Sequence, residues 1–233
     1  MSQVLKLISI MLIEIVLVAP TCSNDEKSKD DTTLLKQVDP IFKIRAETTL
    51  LTLADLPRNW ISKPYEEVDF SADFSDECKI VDDDTDTDSS YTSNSEDFSG
   101  PNGHSVSNTI QFFSLCLEAT AIMNDLDLAM NRCFEEIEGA FENHLEEDGI
   151  DARIKSSELT FTGFGATSKE IRLTITIPLA GTIMVDAIMV HHERMVSSLT
   201  YAFPVGTSSD SDSNALVGGL LNVIINRLEQ AHH

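Results

Sequence analysis

The sequence predicts an α+β fold, an antiparallel β-sheet flanked by helices. Three observations carry this. From Ile171 to Ile177 the chain alternates, with Ile171, Leu173, Ile175 and Ile177 on one face and Arg172, Thr174 and Thr176 on the other. That is the period of a strand in a sheet with one wet face. Two more apolar runs follow, Thr182 to Val190 and Met195 to Phe203, after Leu179-Ala180-Gly181 and His192-Glu193-Arg194. Connections that short are hairpins, so the three strands run antiparallel. Upstream, Met130, Cys133, Phe134, Ile137, Phe141 and Leu145 recur at three and four residues, the apolar stripe of a helix over Asp127 to Glu147.

At 233 residues the chain suits one domain with appendages, large enough to bury a core. The formal charge of -23 argues against nucleic-acid partners, because such a surface repels phosphate and no basic patch offsets it. The N-terminus reads as a targeting segment over 1–22. Met1 to Lys6 carries one positive charge, and Leu7 to Ala19 is an apolar run too short to span a bilayer. Glu14 within that run costs about 2–3 kcal/mol on insertion. Ala19-Pro20-Thr21-Cys22 resembles a bacterial lipoprotein box, although Thr21 is bulkier than usual there. Lipidation is therefore expected at Cys22, with cleavage near Ala19 or Ser23 and free secretion as the alternative. Either way the expected location is exported, in the cell envelope or outside it, with membrane attachment through the N-terminal anchor only.

Residues 23–46 read as a flexible tether, polar through Thr33, with Leu34 to Ile44 open to being a short element. Order is expected from Glu47, in a single domain over 47–231. Leu56-Pro57-Arg58-Asn59-Trp60 is a turn in which Pro57 sets φ and Asn59 can be left-handed. Trp60, the single tryptophan, then opens a strand as a core residue. Glu66 to Asp97 is acidic and poor in apolar residues, so a disordered loop is expected at about 66–102, closed by Gly100-Pro101-Asn102-Gly103. Its Asp84-x-Asp86-x-Asp88 spacing hints at an EF-hand but lacks the glycine and the closing glutamate. Asp210-x-Asp212-x-Asn214 fails alike, so no metal site is expected.

Ser105 to Phe113 alternates again, with Val106, Asn108, Ile110 and Phe112 opposed to Ser107, Thr109 and Gln111. Leu117 to Met123 reads as a short helix before the longer one. On that longer helix Glu135, Glu136, Glu138, Glu142, Glu146 and Glu147 take the wet side, and Asp148-Gly149 ends it. Glu158 to Thr162 is expected as a strand and Gly163 to Ser168 as a hairpin turn. Ser213 is expected to cap a last helix, Asn214 to Ala231, with Leu216, Leu220, Ile224 and Leu228 inward. Cys78, Cys116 and Cys133 are too far apart for a redox pair or zinc knuckle. One disulfide and one spare thiol is the simple count. Cys78 in the loop and Cys133 on the helix suit a bridge worth roughly 4 kcal/mol in the chain-entropy model. Cys116 reads as a small buried hydrophobe.

Several stretches together resemble a group of bacterial exported proteins, many of them lipoproteins, that share the fold of the extracellular sensor domain of PknH-type serine/threonine kinases. That fold belongs to the broader PsbP-like α/β/α sandwich. The stretches are Leu50 to Trp60, Val106 to Phe113 followed by a helix with Cys133, Leu159 to Gly165, Met184 to Val190, and Leu199-Thr200-Tyr201. The resemblance spans 47–230, with Asn59 where glycine is usual. It implies a cysteine of the acidic loop bridged to the helix cysteine, which fits Cys78 and Cys133. It supplies no catalytic residues and no cofactor.

No motif for catalysis emerges. His191-His192-Glu193 lacks the helical spacing of a zinc protease and reads as a solvated hairpin tip, its two imidazoles on opposite faces or both in solvent. Gly206-Thr207-Ser208-Ser209-Asp210 lacks the second glycine of a nucleophile elbow. The expected function is non-enzymatic binding of a small molecule or an envelope protein, in a groove between the sheet and the long helix. The alternative is a structural subunit that docks a basic partner through the acidic loop, and a secreted hydrolase is the more remote reading.

Overall fold

The three runs Ser168–Ile177, Gly181–His192 and Met195–Pro204 form the middle of one antiparallel sheet. The computed structural model describes residues 40–65, 91–113, 119–120, 123, 133–159, 168–207 and 210–232. In chain order the described elements are α1 (Pro40–Thr49), β1 (Ile61–Lys63), β2 (Tyr91–Asn94), β3 (Asp97–Ser99), β4 (Ser105–Phe112), α2 (Phe134–Glu147), β5 (Arg153–Glu158), β6 (Ser168–Ile177), β7 (Gly181–His192), β8 (Met195–Pro204) and α3 (Asp210–His232). Among the described residues the sheet has eight strands in the order β1-β3-β4-β8-β7-β6-β5, with β2 also paired to β4.

Alternation sorts the side chains into two cores, one per face. On one face Ile171, Leu173, Ile175, Val185 and Met189 meet Ile137, Phe141 and Leu145 of α2. On the other, Val106, Ile110, Leu199, Tyr201 and Phe203 lie under Val217, Leu220, Ile224 and Leu228 of α3 and Ala46 of α1. The chain is thus an α+β sandwich, and its central strands have no wet face. Ile188 and Val190 are buried on one side while Met189 is buried on the other.

The edge strand β5 is protected from α2. Glu142 Oε1 accepts the Ile154 N–H at 2.8 Å, and Glu138 Oε1 accepts the Ser156 N–H at 2.6 Å. Four helical residues rise about 6 Å. Two strand residues advance about 6.6 Å. The spacings match, so carboxylates one turn apart meet alternate amides. Arg153 and Lys155 pair with the same carboxylates at 3.5 and 3.6 Å. Glu138 therefore belongs to the packed side rather than the wet one, and β5 loses the open donors that invite another chain.

Other expectations need correction. Pro40–Thr49 is already helix, α1, ahead of the Glu47 expected to open the domain, and Ala46 and Thr49 are fully buried. The span 66–102 is not loop throughout, because β2 and β3 lie inside it. Both strands run along β4, and Phe98 is 1% exposed. Between them Ser95 makes a kink in which its hydroxyl accepts the Asn108 N–H at 2.9 Å. Residues 66–90 lie outside the described residues, as do 23–39 of the expected tether, Leu7 to Ala19, Cys22, Cys78, Cys116, most of 117–132 and the turn at Gly163. The strand expected from Glu158 ends there instead, as β5 from Arg153. α2 is described from Phe134, with Cys133 buried just before it. Ser213 stands inside α3, not ahead of it.

Asn59 does take positive φ, at 80°. Trp60 is core, and Gly100 exists for it: a Cβ on Gly100 would stand 2.5 Å from Trp60 Cε2. Gly100→Ala should therefore push the indole outward. The expected loss is about 1–3 kcal/mol in urea unfolding, with a red shift of Trp60 emission. An unchanged midpoint and spectrum would show that the ring does not rest on Gly100.

Candidate functional site

A charged residue in the middle of a buried strand needs a partner, and Asp186 has one. Arg172 Nε and an Nη donate to its two oxygens at 2.6 and 2.8 Å, a bidentate pair. The Asp186 side chain is 1% exposed and that of Arg172 18%. The register sets Arg172 opposite Asp186, and Asp186 opposite Tyr201, so the three form one row across β6, β7 and β8 on the α3 face. Arg172 also lies 5.7 Å above the Phe203 ring.

The row continues into His104, which follows the tight turn Pro101–Gly103 and precedes β4. Asn102 and Gly103 in that turn have φ of 59° and 82°, which bring the chain round to set the imidazole beside Tyr201 and Phe203. His104 Nδ1 is 2.7 Å from Tyr201 Oη, and Nε2 is 3.2 Å from Thr207 Oγ1. Thr207 gives its single hydroxyl hydrogen to the Pro204 carbonyl at 2.7 Å. It can then only accept from His104, which places the imidazole hydrogen on Nε2. Nδ1 is left as the acceptor of the Tyr201 hydroxyl. Ser213 Oγ stands 3.5 Å from the same phenol oxygen, too far to compete for its hydrogen.

Electrostatics agree with that tautomer. Burial lowers the His104 pKa below its ordinary value, favouring the neutral ring. Burial raises the Tyr201 pKa, and the Asp186 charge raises it further against the opposing contribution of the Ser213 hydrogen bond. Both groups stay neutral near pH 7.

Above this row lies a hollow of about 290 Å³, lined by Pro57, Trp60, Pro101, Asn102, His104, Tyr201, Thr207, Asp212, Ser213 and Leu216. Four separate segments meet there: the Pro57–Trp60 turn, the Pro101–His104 turn, the end of β8 and the first turns of α3. The hollow is on the α3 face, whereas the expected groove lay beside the long helix α2. Its volume is just under the range of drug-sized sites, and its make-up is theirs, apolar walls with a few convergent polar groups. A second hollow of about 240 Å³ is lined by Arg45, Thr48, Arg227, Gln230 and Ala231. There Arg227 is committed to the Leu50 carbonyl and Asp55, at 2.7 and 2.8 Å. Burial works to raise the Asp55 pKa, but hydrogen bonds from Thr52 and Arg227 outweigh it and hold the value low.

His191 is 5% exposed, so it is not part of a solvated tip. β7 runs on through His192, and His191 Nε2–H donates to the Glu193 carbonyl at 2.6 Å. Burial lowers its pKa too. His192 falls on the opposite side, as alternation requires. The Asp210-x-Asp212-x-Asn214 spacing lies on α3, a helix rather than a cation loop. Among the described residues no group of three or more His, Cys, Asp or Glu is placed to hold a metal, and no helix is long and apolar enough to cross a membrane. Cys133 is disulfide-bonded, and its partner lies outside the described residues.

Sequence reasoning left the ligand site blank. The signal it passed over was Asp186 inside Met184-Val185-Asp186-Ala187-Ile188-Met189: a charge in a doubly buried strand must be paired, and of the basic residues on the neighbouring strand Arg172 is the one opposite it. His104, Thr207 and Ser213 carry no comparable signal, because separate loops and a helix bring them together.

No family model matches the chain. No curated protein matches it. Among solved structures, the extracellular domain of PknH from Mycobacterium tuberculosis aligns with a TM-score of 0.38 and 10% identity, over 79% of this chain and 96% of that one. So slight a likeness carries no argument about function.

Two measurements test the row. Asp186→Leu strands the Arg172 guanidinium and should cost about 3–5 kcal/mol in urea unfolding. Adding Arg172→Met should recover most of that loss, and no recovery would mean that the two charges are not coupled. The second concerns pH. A histidine whose folded pKa lies below its unfolded one stabilises fully above the unfolded value and loses that contribution as pH falls toward the folded value. His104→Gln should therefore flatten the acid side of the stability curve just below the ordinary histidine pKa. The slope that remains there should come from His191, and an unaltered curve would place the His104 pKa at its ordinary value.

Proposed function

We propose that this chain is an exported, envelope-held binding protein that captures a small molecule in the hollow over Tyr201 and His104 without transforming it. The observation that carries the reading is the hollow's construction. Its floor is a neutral, internally satisfied hydrogen-bonded row held by a buried ion pair, and its walls come from four segments. Such a floor is rigid before any ligand arrives, which lowers the entropic cost of capture. The non-enzymatic part is supported by His104, the base nearest the hollow, whose two ring nitrogens are both occupied. A general base needs a free nitrogen within reach of the proton it takes.

Export is supported by the disulfide at Cys133, since disulfides persist in oxidising compartments. Pairing of Cys133 with Cys78 and attachment of lipid at Cys22 belong to the same proposal.

The test is thermal denaturation of the full chain with and without a small-molecule extract of the medium its host grows in. Asp212 is exposed at the rim, so Asp212→Arg can block the hollow without touching the core. A ligand at a hundred times its Kd adds about 2.7 kcal/mol. For a domain of this size that raises the melting temperature by roughly 5–10 °C. The rise should vanish in Asp212→Arg. No rise, or an equal rise in the variant, contradicts binding in this hollow.

A further inference from the structure

The Tyr201 hydroxyl has one hydrogen and two acceptors within view. His104 Nδ1 takes it at 2.7 Å, while Ser213 Oγ stands at 3.5 Å. The first is a full hydrogen bond, and the second lies beyond the roughly 3.0 Å reach of an O–H···O bond. The three side chains come from three pieces of chain: the turn ahead of β4, the strand β8 and the first turns of α3. All three line the hollow, together with Thr207. In the neutral row the Tyr201 hydrogen therefore ties β8 to the turn and stops short of α3.

A proton from solvent can land on Nδ1 alone, because Nε2 already carries its hydrogen toward Thr207. The imidazolium then donates from both nitrogens. Its Nδ1–H faces the Tyr201 oxygen, which must now accept, and two hydrogens cannot share one line. The phenol keeps its own hydrogen, since burial raises its pKa. That hydrogen turns to the remaining acceptor, Ser213 Oγ, whose lone pairs can take it. Shortening 3.5 Å to the ordinary length of about 2.8 Å brings the first turns of α3 about 0.7 Å closer to Tyr201. The charges around the ring do not prevent this. Asp212 of α3 shares the hollow but has a partner of its own. Arg58, on the Pro57–Trp60 turn, is exposed and off the lining. Arg172 and Asp186, behind Tyr201, answer each other. Burial lowers the His104 pKa, so the ring is neutral at pH 7 and takes its proton below the ordinary histidine value.

We propose that the row is an acid-operated latch on the hollow. A proton on His104 Nδ1 turns the Tyr201 hydrogen onto Ser213 Oγ, and the bond so formed draws α3 down and narrows the hollow. As regulation of capture this rests on the binding role given above, because a narrowed hollow releases what it holds. The reversal itself belongs to the row and needs no ligand. Proton and ligand then oppose each other by the same factor in both directions.

Trp60 is the only tryptophan and lines the same hollow, so its emission reports the reversal in the full chain. Between about pH 8 and 4.5 the emission should change in one reversible step, with its midpoint below the ordinary histidine pKa. The step should vanish in His104→Gln. Ser213→Ala removes the second acceptor and makes protonation harder, so the midpoint should fall by about half a pH unit. Ser213→Thr keeps the hydroxyl and should restore it. Melting curves at neutral pH check that each variant folds, and one further readout needs no variant: the Overhauser contact between Tyr201 and Ser213 should strengthen below the midpoint. A step that survives in His104→Gln, a midpoint unmoved in Ser213→Ala, or an unchanged Overhauser contact would overturn the latch. For release, the extract experiment is repeated on the unaltered chain on either side of the midpoint. The rise in melting temperature should shrink in acid, and equal rises would overturn release. No rise at neutral pH would defeat the binding role, while the Trp60 titration judges the latch separately.

Discussion

Asp186 sits with 1% of its side chain exposed in the middle of a strand covered on both faces, and nothing around it could be arranged without regard to that charge. An unpaired carboxylate there would be neutralised or would unfold the strand, because desolvating an ion costs several kcal/mol. Arg172 answers it from the next strand with two short hydrogen bonds. The pair in turn sets what can lie beside it. Tyr201, directly across β7 and β8, keeps its proton chiefly because it is buried, and the Asp186 charge adds to that. The Tyr201 O–H donates to His104 Nδ1, and His104 Nε2–H donates to Thr207 Oγ1. Each hydrogen bond has one allowed direction, set by Thr207 giving its hydrogen to the Pro204 carbonyl, and the row that begins at the ion pair ends beneath a hollow.

The remaining architecture holds that row in place. Asn108, 1% exposed, ties the start of the domain to the sheet: its Oδ1 accepts the Leu51 N–H at 2.8 Å and its Nδ2 donates to Ser197 Oγ at 3.0 Å. Arg227 of α3 reaches the carbonyl of Leu50 and the carboxylate of Asp55. These contacts lock the segment that carries Pro57 and Trp60 against the helix that carries Asp212 and Ser213. On the far face Glu138 and Glu142 close the sheet edge from α2. Stability is thus built on both faces, and the hollow over His104 and Tyr201 lies on the α3 face.

The strands of the centre were legible because burial and alternation coincide there. Ile171 to Ile177 shows the period of two without interruption, and β7 and β8 are apolar runs joined to it by hairpin-length connections. The edges were not legible. In Arg153–Glu158 the one wholly buried side chain is Ile154, and the strand is held by carboxylates on a helix that local pattern does not pair with it. Tyr91–Ser99 is polar because it lies along the rim of β4, and composition alone makes such a segment look like loop. His191 appeared solvated because it neighbours a turn, but the strand runs one residue past it. The site failed to show for a related reason. Hydrogen bonds across 97 residues, as between His104 and Tyr201, leave no periodic trace.

The most direct measurement is the protonation of the His104 ring by long-range proton–nitrogen correlation in solution at neutral pH. The account predicts a neutral imidazole with its hydrogen on Nε2 and an unprotonated Nδ1 whose shift moves in Tyr201→Phe. A hydrogen on Nδ1, or a charged ring, would mean that the row does not run from the ion pair to the hollow.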